Sequence, residues 1–186
     1  MNEIKHLTIA ELDAGLGEIR RSPKDNGTLK LIVRRPQVEA REILESGELD
    51  SVQGLVGDSW KERGSSRSED GAAHPDMQLN IMNARAIAVI SPDESRWPLA
   101  GDQLFIDLDL SEENLPAGTR LSIGEAIIEV TNQPHTGCKK FVARFGLDAM
   151  KWVNSEVGKQ LHLRGINAKV VQAGTIKTGD SVRKLS

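Results

Sequence analysis

Short apolar runs, each closed by a turn signal, recur from residue 29 to the end of the chain, and they restrict the fold more than any other feature. Residues 29–34 (LKLIVR), 86–90 (AIAVI), 104–108 (LFIDL), 120–123, 126–131, 166–172 and 181–185 are all short enough to read as strands. Gly124-Glu125 joins two of them in a two-residue hairpin turn, where glycine supplies the positive φ. Long helices do not alternate with these runs. A doubly wound parallel sheet is therefore disfavoured, and a barrel or mixed α+β sheet is expected. The fold class read here is α+β, mainly β.

Helical patterns are fewer. Thr8-Ile9-Ala10-Glu11 has the form of a capping box, and Ile9, Leu12, Leu16 and Ile19 follow at helical spacing. This helix is expected to stop near Arg21, because Pro23 and the Asp25-Asn26-Gly27 turn follow. Pro36 suits the first turn of a second helix running to about Ser46, with Gly47 as its stop. Phe141, Val142 and Phe145 form one further stripe. Met150, Trp152, Val153 and Val157 form another, stopped by Gly158. Residues 61–75 are polar and include Gly64-Ser65-Ser66-Arg67-Ser68, the stretch expected to be a mobile surface loop. The expected organisation is an N-terminal helical extension over residues 1–28 and one domain over 29–186.

Composition narrows the function classes. Aromatic residues make up 3% with no Tyr, too few for stacking platforms that hold bases. Lys and Arg total 24 against 27 Asp and Glu, a formal charge of −3. Neither nucleic acid nor an anionic membrane is an expected partner. The first ten residues lack a basic region followed by a long apolar run, and no window approaches the roughly 18 apolar residues of a membrane span. A cytoplasmic protein is expected. A single Cys rules out an internal disulfide and a multi-cysteine zinc site.

That Cys, Cys138, follows a Pro/Gly loop at an expected helix start. Free amides there, with His135, Lys139 and Lys140, favour a thiolate. A thiolate attacks electrophiles, carries sulfur or ligates a soft metal. A lone Cys equally serves as a small buried hydrophobe, and spacing alone leaves both readings open. His135-x-x-Cys138 offers two metal positions; His74, His162, Asp58 and Asp102 are the available further ligands for zinc. Arg34, Arg35, Arg63, Arg67 and Arg85 are candidates for pairing with an anionic phosphate. Lys139 is formally able to form a Schiff base with pyridoxal phosphate, although nothing nearby marks a pyridinium partner. Trp60, Trp97 and Trp152 read as core or rim packing.

The hairpin, the Pro134-x-x-x-Cys138-Lys139-x-Phe141 loop and Arg144-Phe145-Gly146 together resemble the signature of MOSC domains, the module named after the C-terminal part of molybdenum cofactor sulfurase. The resemblance extends outward. Gly54-Leu55-Val56-Gly57-Asp58 is similar to the family's early Gly-Asp turn, and Gly101-Asp102-Gln103-Leu104 to its Gly-Glu-Asn-Leu. Leu163-Arg164-Gly165, Gly174-Thr175-Ile176 and Thr178-Gly179-Asp180 are similar to its closing strand and turn. Coverage is about residues 29–184.

The resemblance implies a barrel with short flanking helices and an N-terminal helix. It implies a molybdenum cofactor (molybdopterin) with the Cys138 thiolate as metal ligand, and oxidoreductase action on small N-hydroxylated or related substrates. The alternative it implies is a sulfur carrier holding a persulfide on Cys138. In either case the expected partners are small molecules and an electron-donor or sulfur-donor protein. Cys138 and His135 are the expected reactive pair. Asp58, His74, Asp102 and Gln103 stand at the family's cofactor positions, with Arg34, Arg63 and Lys139 as accompanying cations. One departure is plain. Where the family has His-x-Gly-Gly, this chain reads His74-Pro75-Asp76-Met77, and proline has no amide proton to offer a phosphate or pterin.

Overall fold

A computed structural model describes residues 4–186; the first three residues of the expected extension lie outside the described residues. Eleven strands are described: β1 Gly27–Arg34, β2 Glu42–Leu44, β3 Ser46–Asp50, β4 Gly54–Leu55, β5 Leu79–Asn83, β6 Leu104–Asp107, β7 Arg120–Ile123, β8 Ala126–Val130, β9 Ile166–Gln172, β10 Gly174–Lys177 and β11 Ser181–Lys184. The helices are all short: α1 Ile9–Asp13, α2 Leu16–Arg20, α3 Trp60–Arg63, α4 Ala84–Ile90, α5 Lys139–Phe145, α6 Leu147–Val153 and α7 Glu156–Gln160. None of them is long and apolar enough to cross a membrane.

The main sheet runs β11-β7-β8-β9-β5-β6-β1-β2, and β11 also pairs with β1. That pairing closes every strand except β2 into a barrel, the architecture expected from the short runs. Among the described residues only β5 and β6 pair in parallel. A second, three-stranded sheet, β10-β3-β4, covers one side.

Alternation along the strands divides two cores. Leu104 and Ile106 of β6 face the barrel interior with Leu29, Ile81, Leu121 and Ile128. Phe105, between them, faces outward into a second core with Met82 of β5, Val33 of β1 and the helices. Strands buried on both faces read as continuous apolar runs, which is why LFIDL shows little polar alternation.

Four sequence expectations need correction. The helix expected to run to Arg21 breaks at Gly15 into α1 and α2. A Cβ on Gly15 would stand 2.5 Å from Val89 Cγ1, so glycine lets this segment press onto α4. The capping box itself is present, with the Glu11 amide donating to Thr8 Oγ1 and the Thr8 amide to the Glu11 carboxylate. The helix expected from Pro36 is absent: Glu39 at φ 63 interrupts it, and β2 pairs with β1, with Glu42 opposite Arg34.

The run AIAVI is helical. Asn83 Oδ1 accepts from the amides of Arg85 and Ala86 and starts α4, whose buried residues Ala86, Ile87 and Ile90 lie on one face. The strand in this region is β5, immediately before it. The stripe ending at Gly158 is split between α6 and α7, and Gly158 lies inside α7. Trp97 and Trp152 are buried, each donating from Nε1, to the Ser91 carbonyl and to Asp13 respectively. Leu12 and Ile19 bring the N-terminal helices into the outer core.

Candidate functional site

The loop 131–137 connects β8 to α5 and has no regular structure, so its backbone groups need side-chain partners. Five supply them. Asn167 Nδ2 on β9 donates to the Gln133 carbonyl at 3.0 Å and lies 3.4 Å from that of Pro134. Arg67 donates to the same Pro134 carbonyl at 2.9 Å. Thr131 donates from its own hydroxyl to the Asp76 carbonyl. Asn154, just after α6, holds Gly137 from both sides, accepting from its amide at 2.9 Å and donating to its carbonyl at 3.2 Å. Gly137 has room for this only without a side chain, since a Cβ there would meet Val153 and Met150 within about 3.2 Å. Cys138 then caps α5, exposed, with no hydrogen bond from its side chain to the helix. The thiol is presented at the surface and not packed into the core.

A buried polar layer lies beneath this loop. Arg35 donates from Nε and Nη2 to the two carboxylate oxygens of Asp58, at 2.9 and 2.8 Å, and both side chains are buried. Two backbone amides, of Arg35 and Trp60, also donate to Asp58. Burial pushes the Asp58 carboxyl up, but Arg35 and these amides outweigh it and hold it below the usual carboxylate range.

Arg35 Nη1 continues to the Gly101 carbonyl and to Asn80, and Asn80 Nδ2 donates to Asn167 at 2.6 Å. Gln103 accepts from the Asn80 amide and donates to the Gln78 carbonyl. The Gly-Asp turn at 57–58 and the Gly-Asp-Gln turn at 101–103 are thereby linked, through Asn80 and Asn167, to the loop that carries the thiol.

The second part of this layer is Asp102, Arg164 and His135. Arg164 Nη1 donates to Asp102 Oδ2 at 2.7 Å and Nη2 to the Ala100 carbonyl, while its guanidinium lies 5.0 Å from the Phe141 ring centre. His135 Nδ1 stands 3.5 Å from Asp102 Oδ1, and among the described residues neither atom has a hydrogen-bond partner. Burial drives His135 well below the usual histidine range, and Arg164, Arg35 and Arg67 add to the shift. Asp102 is pushed up by burial, against the pull of Arg164. Gly165, at φ 114, makes the approach possible: a Cβ there would stand 2.2 Å from the Ile81 carbonyl and 3.1 Å from His135 Nδ1.

Beside the loop a cleft of about 380 Å³ opens toward α7 and β9. Its polar lining includes Glu112, His135, Asn154, Lys159, His162 and Arg164. Its size is that of a small-molecule site.

The residues expected from the sequence fall into two groups. Asp58, Asp102, Gln103 and His135 converge in the buried layer, where Asp58 and Gln103 have their polar atoms engaged within the protein. Cys138 and Lys139 are exposed at the start of α5. His74 is not in that layer; its Nδ1 accepts from the Asp76 amide and caps the turn at Pro75–Met77. Arg34 pairs with Glu42, and Arg63 is exposed on α3. His135 and Cys138 do not form a zinc site with the other candidates, because no group of three His, Cys, Asp or Glu is placed to hold a metal among the described residues. Sequence reasoning missed Asn80, Asn154 and Asn167. An asparagine has no spacing signature, and its role here comes from chain segments far apart in sequence. Arg164 was missed as well: its Leu163-Arg164-Gly165 triplet entered only as part of the closing strand that the resemblance covers.

The MOSC domain family model matches residues 74–183. No curated relative matches the chain. Among solved structures, it is similar to YiiM from Escherichia coli, with a TM-score of 0.56 at 21% identity, covering 86% of this chain and 70% of that one. It is also similar to the YuaD protein from Bacillus subtilis, with a TM-score of 0.60 at 14% identity, covering 86% and 95%. YiiM from Geobacillus stearothermophilus matches with a TM-score of 0.54 at 15% identity, covering 88% and 74%. At these identities the structural likeness is one of fold.

Proposed function

Since the chain belongs to the MOSC domain family, we propose that it binds the molybdenum cofactor with the Cys138 thiolate as metal ligand and acts as an oxidoreductase on small N-hydroxylated or related molecules. The observation that carries this reading is the exposed thiol of Cys138, presented on a loop that Asn154, Asn167 and Arg67 hold in place.

The donor set fits the metal. A thiolate is a soft ligand suited to a thiophilic ion, and the Cys138 side chain is not engaged in capping its helix. Lys139 and Lys140 are exposed next to it, and Arg67 reaches the same loop. These cations suit the cofactor's phosphate. They take the place expected of Asp58, Gln103 and His74, which are engaged inside the protein. When bound, the cofactor would supply the redox chemistry.

The chain's own residues do the positioning. Asn154 fixes the peptide before the thiol, and Asn167 and Arg67 fix the turn at Gln133-Pro134. His135 forms one wall of the adjoining cleft, where a substrate would be held. An electron-donor protein and a cytoplasmic setting belong to the same proposal.

The test is elemental analysis of protein purified from a cofactor-competent host. Near-stoichiometric molybdenum and released pterin are expected, and both should be lost in Cys138→Ala. Trace metal that the substitution leaves unchanged would overturn the reading.

One observation favours a second reading. Asp58, Gln103 and His74 already have partners within the protein, which suits a carrier that needs no pterin cradle. In that reading Cys138 attacks the outer sulfur of a donor's persulfide, takes that sulfur and releases the donor's thiolate. Mass spectrometry after incubation with a cysteine desulfurase and cysteine would then show one added sulfur on Cys138.

A further inference from the structure

The cleft beside the loop contains two histidines, each with its Nδ1 turned toward an oxygen of the protein. His162 Nδ1 lies 2.6 Å from the Leu110 carbonyl. A carbonyl only accepts, so Nδ1 carries the proton, and Nε2 of the neutral ring is a lone-pair acceptor. His162 adopts φ 48, a left-handed conformation uncommon for a non-glycine residue. The backbone there is bent in a way that places the ring on the cleft. His135 faces Asp102 Oδ1 with its Nδ1. Arg164 Nη1 donates to Asp102 Oδ2, which leaves Oδ1 facing the His135 ring.

Both rings line the cleft. Among the described residues neither Nε2 is a buried atom lacking a partner, whereas His135 Nδ1 is. The Nε2 side of each ring is the one not turned to a protein oxygen. Much of the wall around them is apolar, from Leu115, Val130, Pro134, Val153 and Ile166, and it also includes Glu112 and Lys159, one charge of each sign.

We propose that this cleft is a binding site for a neutral small molecule with N–H or O–H donors on an apolar body, received by Nε2 of His135 and Nε2 of His162. The chemistry follows from the two acceptors. A neutral imidazole with its proton on Nδ1 offers Nε2 only a donor to bond, and the apolar part of the wall, with Glu112 and Lys159 of opposite sign beside it in the lining, suits an uncharged body. Burial and three neighbouring arginines keep the His135 ring neutral, in agreement with this polarity. The volume of about 380 Å³ admits a molecule of one ring with a polar head. The proposal deepens the molybdenum reading, which places its substrate in this cleft, but it asks neither histidine to hold the cofactor.

The experiment uses the full chain labelled with ¹⁵N. Long-range ¹H–¹⁵N spectra first read the tautomers, and both histidines are expected with Nδ1 protonated and Nε2 bare. The chain is then titrated separately with benzamide, benzoate and benzylammonium. Benzamide is expected to shift both Nε2 resonances saturably, with the two ions at least tenfold weaker. His162→Asn keeps a residue that tolerates the left-handed backbone but removes Nε2. It is expected to weaken benzamide at least tenfold, and His135→Gln to do the same. A His135 ring protonated on Nε2, a preference for benzoate, or benzamide binding unaltered in both variants would each overturn the proposal. Because the readout is histidine nitrogen and not metal content, its failure is distinct from a failure of the molybdenum reading.

Discussion

Arg35 and Asp58 show what one buried pair does for this fold. Both side chains are withdrawn from water, and Asp58 is also held by two backbone amides. Removing one partner leaves the other charge buried without compensation, which costs about 3–5 kcal/mol. Asp58→Ala is therefore expected to lower the unfolding free energy by about that amount in urea titrations. His135 acts in a different pH range. Its folded pKa lies well below the unfolded value of about 6.5, because burial and Arg164 disfavour the charged ring. The unfolded chain binds more protons between those two values. Stability from this group is thus complete above about pH 6.5 and declines as the pH falls toward the folded value, by up to about 1.4 kcal/mol per pH unit. Urea midpoints measured from pH 7.5 to 5 should fall in the native protein, and His135→Gln should flatten that part of the decline.

At the level of elements, the loop between β8 and α5 is ordered by side chains from elsewhere. Asn154 makes two hydrogen bonds to Gly137, each contributing about 0.5–1.5 kcal/mol net. Asn154→Ala is expected to speed amide exchange at Gly137 by about tenfold while exchange in the barrel strands is unchanged. Exchange measured by NMR separates this local release from general unfolding. The α4 start is a simpler case. Asn83 Oδ1 receives two amides, so Asn83→Ala should cost at least the roughly 1 kcal/mol of an N-cap, and more because Asn83 Nδ2 also bonds Ser22 and the Leu108 carbonyl. Thermal unfolding would check it. From the sequence, the run that this cap starts reads as a strand. Short apolar runs fit a buried strand and a buried helix equally, and the cap decided between them.

At the level of the whole molecule, the barrel closes where β1 meets β11, in a short register of Gly27 with Val182 and Thr28 with Ser181. Gly27 is pressed against the neighbouring strand, and a Cβ there would stand 2.2 Å from the Asp107 carbonyl. Gly27→Val is expected to strain this seam by about 1–3 kcal/mol. The melting temperature should fall by roughly 2–10 °C for a chain of this size. An unchanged melting temperature would show that the seam can open without cost.

Local pattern was enough to determine a mainly β chain, the β7–β8 hairpin, the strands β1, β6, β9 and β11, and the start of α5 at Cys138, because turn chemistry and apolar periodicity act within a few residues. The motifs in their order also identified the family. Local pattern misjudged the residues after Pro36 and the run at 86–90, where pairing with β1 and the Asn83 cap took over. The candidate site was only half legible. Cys138 and His135 stand close in sequence and could be singled out together. Their supports, Asn80, Asn154, Arg164 and Asn167, come from distant segments. Only closure of the barrel brings those segments together, and burial beneath the loop makes most polar atoms there take a partner from whichever strand lies nearest, with Asp102 Oδ1, His135 Nδ1 and Arg164 Nε left without one among the described residues.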